Sequence, residues 1–171
     1  MSDSSTHRLG LGMWLGMCIA LLAILTIAFN GLLDRRQQPA QPLSINLSGE
    51  QIDVLLKANR QGHYLTNGLI NGQPVTFLLD TGASSVSIPE AVADRLGLQR
   101  GQAIRYSTAN GIITAYRTEL DSVELGPIRL NAVRGSINPH APGEHVLLGM
   151  SFLRHLELRQ RDGELLLRQT L

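Results

Sequence analysis

Three regimes of hydrophobic and polar patterning divide the chain. From Leu9 to Leu33, LGLGMWLGMCIALLAILTIAFNGLL, apolar residues run almost unbroken: no side chain is charged, and only Thr26 and Asn30 are polar. At about 1.5 Å per residue such a helix exceeds the roughly 20 residues that cross a bilayer core, so the pattern predicts one membrane span at 9–33. A cleaved signal peptide is the competing reading. It is disfavoured because the run outlasts an ordinary apolar signal region and no small-x-small site follows it before Arg35-Arg36. Residues 1–8 form a short polar tail. The stretch DRRQQPAQP, from Asp34 to Pro42, has no apolar period and carries prolines, which predicts a semi-extended tether over 34–49 ahead of a folded domain at 50–171.

In that last regime the period shortens to that of strands broken by turn signals. IDVLLKAN, HYLTNGLI and VTFLLD are the first three candidates, and Asn71-Gly72 between the last two suits a tight hairpin. One helix is predicted, PEAVADRLG, with Pro89 in its first turn, Ala91, Val92 and Leu96 on one face, and Gly97 to end it. AIRYSTA and IITAYRTEL follow, joined at Asn110-Gly111, then DSVELG, IRLNAVRGSI and EHVLLGM. LELRQ and ELLLRQ close the chain around Asp162-Gly163, and their apolar face could line a dimer contact. The pattern predicts a compact all-β domain, a small barrel with one short helix.

Composition narrows the function classes. A formal charge of +1 and 4% aromatic residues over 171 positions provide neither a basic stripe nor a stacking platform, which argues against nucleic acid as a partner. Cys18 is the single cysteine, so no internal disulfide forms. His63, His140, His145 and His155 lack the paired spacing of metal ligands, and neither a metal nor another cofactor is expected.

The chemistry concentrates in FLLDTGASSV, Phe77 to Val86. An apolar strand ending at Asp80 delivers a carboxylate to a loop mouth. Gly82 lets the backbone approach it, and Thr81 offers a hydroxyl. Ser84 and Ser85 follow, but Val86 stands where a nucleophile elbow wants glycine, which disfavours a serine hydrolase. Together with STANGIITAYR and LLGMSFL, the stretch from His63 to Leu98 resembles the retropepsin-like aspartic proteases, and among them the bacterial group anchored by one N-terminal span. The resemblance implies a retropepsin-like β-barrel in which Asp80, Thr81 and Gly82 form the catalytic motif. It implies that Ala109, Asn110 and Gly111 sit in a flap hairpin over the substrate, and that Leu147, Leu148 and Gly149 support the catalytic loop. It also implies a protease domain outside the bacterial inner membrane, in the periplasm, although Arg8 against Arg35 and Arg36 tilts the charge count the other way. Met150-Ser151 departs from the retroviral branch, which carries there a basic residue used in dimer contacts.

Only one Asp-Thr-Gly is present, and no internal repeat supplies another. Carboxylate hydrolysis of a peptide bond needs two such groups, one ionised to activate water and one protonated to donate to the carbonyl. A two-fold homodimer with one Asp80 from each subunit is therefore expected, acting as an endopeptidase on protein or peptide substrates near the membrane. The alternative from another class is a non-catalytic peptide-binding or dimerisation module with the same fold.

Overall fold

The computed structural model describes residue 14 and residues 16–27, 44–48, 50–108 and 111–170. They fall into two units, Met1–Gln38 and Pro39–Leu171. In the first, α1 spans 16–27. Its apolar side chains stand exposed, with Ile19, Leu22 and Ile27 at 67%, 65% and 72%. The Thr26 hydroxyl donates to the Leu22 carbonyl at 2.8 Å, so the helix satisfies its own polar side chain. Among the described residues no helix is long and apolar enough to cross a membrane. The tail at 1–8 and the remainder of the 9–33 segment lie outside the described residues.

The second unit is built from β1 (Ser44–Ser48), β2 (Gln51–Lys57), β3 (Leu65–Ile70), β4 (Gln73–Leu79), β5 (Val86–Pro89), α2 (Glu90–Arg95), β6 (Ala103–Thr108), β7 (Gly111–Leu125), β8 (Ile128–Asn138), β9 (His145–Leu148), α3 (Met150–Leu153), β10 (Glu157–Arg161) and β11 (Glu164–Thr170). Turn chemistry sets the hairpins. Asn71 and Gly72 take φ of 50° and 75°, and Asp162 and Gly163 take 51° and 78°, the paired positive values of a mirror-image turn that follows the strand twist.

Seven strands pair in the order β3-β4-β9-β5-β8-β7-β6. Leu69 and Ile70 of β3 also pair with Glu124 and Val123 of β7, so six of the strands close into a ring. Phe77, Ile70, Val86, Leu120 and Leu148 fill its interior with no exposed surface. β6 stays outside the ring, paired to β7, so the two extend from the barrel as a hairpin. A second sheet, β1-β2-β11-β10, brings both ends of the domain together. Val54, Leu56, Leu165 and Leu167 are its buried face. Arg168 donates to both oxygens of Asp53 at 2.8 and 2.7 Å. That hydrogen bonding is the main reason the Asp53 carboxyl lies below its usual range.

The barrel and helix α2 match the expected class, with four local differences. The last residues of the expected tether form β1, which pairs with β2 from Ser44↔Leu55 to Ser48↔Gln51. The predicted break after Leu120 is absent, because the burial alternation runs on through exposed Asp121 and buried Ser122 into a single strand of 15 residues. β5 and α3, of 4 residues each, were not predicted, since neither is long enough to show a period.

Candidate active site

Asp80 is carried to its position by β4. The Leu79 N–H donates to the Tyr64 carbonyl at 3.0 Å, and the Asp80 N–H donates to the Leu148 carbonyl at 3.2 Å. The second bond extends the parallel pairing of β4 with β9 by one residue, from Leu78↔Leu147 and Leu79↔Leu148. Beyond it the chain leaves the sheet and folds back on the carboxylate. The Gly82 N–H donates to Asp80 Oδ1 at 2.8 Å, and the Ala83 N–H donates to the Asp80 carbonyl at 3.2 Å. A Cβ on Gly82 would lie 3.1 Å from that same Oδ1, so the missing side chain keeps the approach open. Asp80 is half-buried, whereas Thr81 and Gly82 are exposed.

The residues expected to support this loop lie directly against it. The Met150 N–H donates to the Ala83 carbonyl at 2.7 Å. Gly149 is the tightest point: a Cβ there would meet the Ser85 carbonyl oxygen at 2.3 Å and that of Ala83 at 2.6 Å, both backbone atoms with little room to retreat. Leu147 bridges the strands on either side of the loop, pairing with Leu78 of β4 and with Ser87 of β5. Gly111 opens β7 at φ 108°, paired with Thr108. Ala109 and Asn110 lie outside the described residues.

Four further residues join the site that motif reading did not select. Ser151, read from sequence only as a departure from the retroviral pattern, is buried. Its hydroxyl accepts from the Val86 N–H at 3.0 Å and donates to the Arg134 carbonyl at 2.7 Å, tying the loop's exit to β8. Ser85 Oγ lies 3.0 Å from Ser136 Oγ and 3.3 Å from Tyr106 Oη, which links the loop to β8 and to the hairpin strand β6. No local signal marks these hydroxyls, because each partner is distant in sequence.

The arrangement presents one carboxylate per chain, oriented by a backbone donor and open to solvent, with no second acid in the loop over residues 81–89. Among the described residues no group of three or more His, Cys, Asp or Glu is placed to hold a metal ion. The chemistry within reach is proton transfer by a held carboxyl group.

Comparison with known proteins agrees with this geometry. The family described as "gag-polyprotein putative aspartyl protease" matches residues 66–155, more than half of the chain. An uncharacterized protein from the cobV 5′ region of a Sinorhizobium species is 31% identical over 178 positions, covering 96% of this chain and 76% of that protein. An uncharacterized protein of Rickettsia prowazekii is 29% identical over 127 positions, covering 72% of this chain and 54% of that one. Among solved structures, a retropepsin-like aspartic protease from Rickettsia conorii superposes with a TM-score of 0.58 at 26% identity, over 72% of this chain and 95% of that one. In sequence and in fold, this chain belongs to the retropepsin-like aspartic protease family.

Proposed function

We propose that the chain is a membrane-anchored aspartic endopeptidase that works as a homodimer. The observation that carries this reading is the Asp80 loop: an Asp-Thr-Gly that occurs once in the chain, with Thr81 and Gly82 exposed and the half-buried Asp80 carboxylate oriented by the Gly82 N–H. Two such loops related by a two-fold axis bring two Asp80 carboxyls together. Like charges that close cannot both ionise, so the pair shares one proton. The ionised member takes a proton from water as it attacks the peptide carbonyl, and the protonated member donates to the carbonyl oxygen. Thr81, exposed in the single chain, faces the partner loop in this arrangement. The β6–β7 hairpin closes over an extended peptide and excludes water.

Anchoring is supported by the uncharged run from Leu9 to Leu33 and by the exposed apolar side chains of α1. The domain then works outside the bacterial inner membrane, in the periplasm. Confinement to a membrane raises the effective concentration of subunits, so a weak dimer suffices.

The test incubates the full chain in detergent micelles with a proteome-derived peptide mixture beside the Asp80→Asn variant, reading new termini by mass spectrometry. The expected outcome is cleavage by the wild type only, rising with the square of protein concentration where dimer is scarce. A folded, dimeric wild type whose cuts persist in Asp80→Asn, or that makes none, overturns the proposal.

A further inference from the structure

The sheet that joins the two ends of the domain has one buried face and one outer face. Val54, Leu56, Leu165 and Leu167 are buried, so strand alternation sends their neighbours outward, where the register sets them in three rows across β2, β11 and β10. Asp53, Arg168 and Glu157 make up the first row. Leu55, Leu166 and Arg159 make up the middle row, and Lys57, Glu164 and Arg161 the third. The two leucines are half-buried, whereas Lys57, Glu157, Arg159, Arg161 and Glu164 are exposed.

Across the strands the first row reads negative, positive, negative, and the third reads positive, negative, positive. Cross-strand attraction accounts for the alternation within each row, but not for the opposite sense of the two rows. A two-fold axis lying in the face along the middle row lays the first row of one copy on the third row of the other. Asp53 then meets the partner's Lys57, Arg168 the partner's Glu164, and Glu157 the partner's Arg161, and symmetry makes each contact twice. Leu55 and Leu166 lie on the axis and meet their own copies. Arg159 is the one like-charged meeting, and Glu157, to which its Nε donates at 2.7 Å, draws it off the axis. Inside the chain Arg168 binds Asp53, and Arg161 binds Asp162 in a pair that is 91% and 86% exposed. Such an exposed pair is weak, and both pairs leave guanidinium donors and carboxylate lone pairs for a further partner. Lys57 and Glu164 face each other in the register with no ion pair between them among the described residues.

We propose that this outer face is a docking surface for a second copy of the chain, with the leucines stacked at the centre and the inverted charge rows paired on either side. Sheets packed face to face lie about 10 Å apart with strands crossing by about 30°, a gap that side chains as long as Lys57, Arg161 and Arg168 reach into. The corner Cα positions of the patch are about 10 Å by 14 Å apart at strand spacing, so it falls short of the roughly 800 Å² per partner of a standard interface. The contact is therefore weak, sensitive to salt and favoured by confinement to a membrane. No residue of the Asp80 loop belongs to this sheet, so the contact is separate from the meeting of two Asp80 loops and does not rest on the protease reading.

The test is sedimentation equilibrium of the full chain in density-matched detergent micelles, at low and high salt, with Arg161→Glu and Glu157→Lys as the variants. Alone, each variant sets like charges against each other at both Glu157–Arg161 meetings and should associate about tenfold more weakly than the wild type. Mixed one to one, the two variants face each other with opposite charges at both meetings, and association should return to the wild-type level. Added salt should weaken the wild type and the mixture alike. Should a reversal fail to fold, Arg161→Gln and Glu157→Gln remove the attraction without adding repulsion, and each should weaken association about threefold. A wild type that stays monomeric at low salt overturns the proposal, as does association that neither reversal changes. Loss in both variants that mixing leaves unrestored also overturns it, and shows a face that takes a partner other than this chain. Asp80-dependent cleavage is measured separately, so each of these outcomes leaves the protease reading standing.

Discussion

The loop around Asp80 and the β6–β7 hairpin are neighbours built on opposite terms. Backbone bonds hold the loop from several sides, through Tyr64, Leu148 and Met150, and the Ser151 hydroxyl fixes its exit. Gly149 lets two segments approach within a distance no side chain would allow. The hairpin has its own ladder and the contact of Tyr106 with Ser85, and it leaves Ile112 65% exposed. On the proposed reading, in which Asp80 reacts and the hairpin covers substrate, the group that must keep its geometry is the fastened one and the cover that must open and close is the exposed one.

The difference breaks most severely at Gly149. Gly149→Ala drives a Cβ into two carbonyl oxygens, and the loop must move or the barrel must strain. The expected loss is about 3 kcal/mol in urea unfolding, together with Asp80-dependent cleavage. A variant that loses less than about 1 kcal/mol would show that the loop yields and that its fastening is looser than the geometry implies.

Tyr106→Phe removes the one side-chain hydroxyl that, among the described residues, joins hairpin to loop while keeping the ring. A net hydrogen bond of about 1 kcal/mol corresponds to about fivefold faster amide exchange along β6 between Ile104 and Ser107. Amides of Gly82 and Ala83 should exchange as in the wild type. Equal acceleration in both regions would mean that the two move as one body, and the comparison would fail.

The loop was the more legible of the two in the sequence, for a physical reason. Its chemistry needs particular residue types in a fixed local order, an acid after an apolar strand and then glycine, and that order is visible in residues 77–82. The barrel class was visible too, because Asn71-Gly72 and Asp162-Gly163 can mark hairpins without knowledge of what they pack against. Contacts between distant residues left no such trace. Ring closure depends on Leu69 and Ile70 meeting Glu124 and Val123, and nothing local to either pair announces it. Ser85, Ser136, Tyr106 and Ser151 are ordinary hydroxyl residues until folding sets them together.

The smallest effect on the fold is expected at Ile112, beside the hairpin tip and opposite Ser107. An isoleucine that the chain itself leaves 65% exposed adds little to the barrel, so Ile112→Ser should change unfolding stability by less than about 0.5 kcal/mol. The same side chain offers apolar surface to whatever lies beneath or against the hairpin. If that is substrate, KM rises by about threefold to fivefold with kcat nearly unchanged, the signature of binding shared equally by ground and transition states. If instead it is the second subunit, the loss appears as a higher protein concentration for half-maximal activity, and saturating protein restores the wild-type KM. A substantial fall in unfolding stability would place Ile112 among the fastened parts of the molecule and erase the contrast between loop and hairpin.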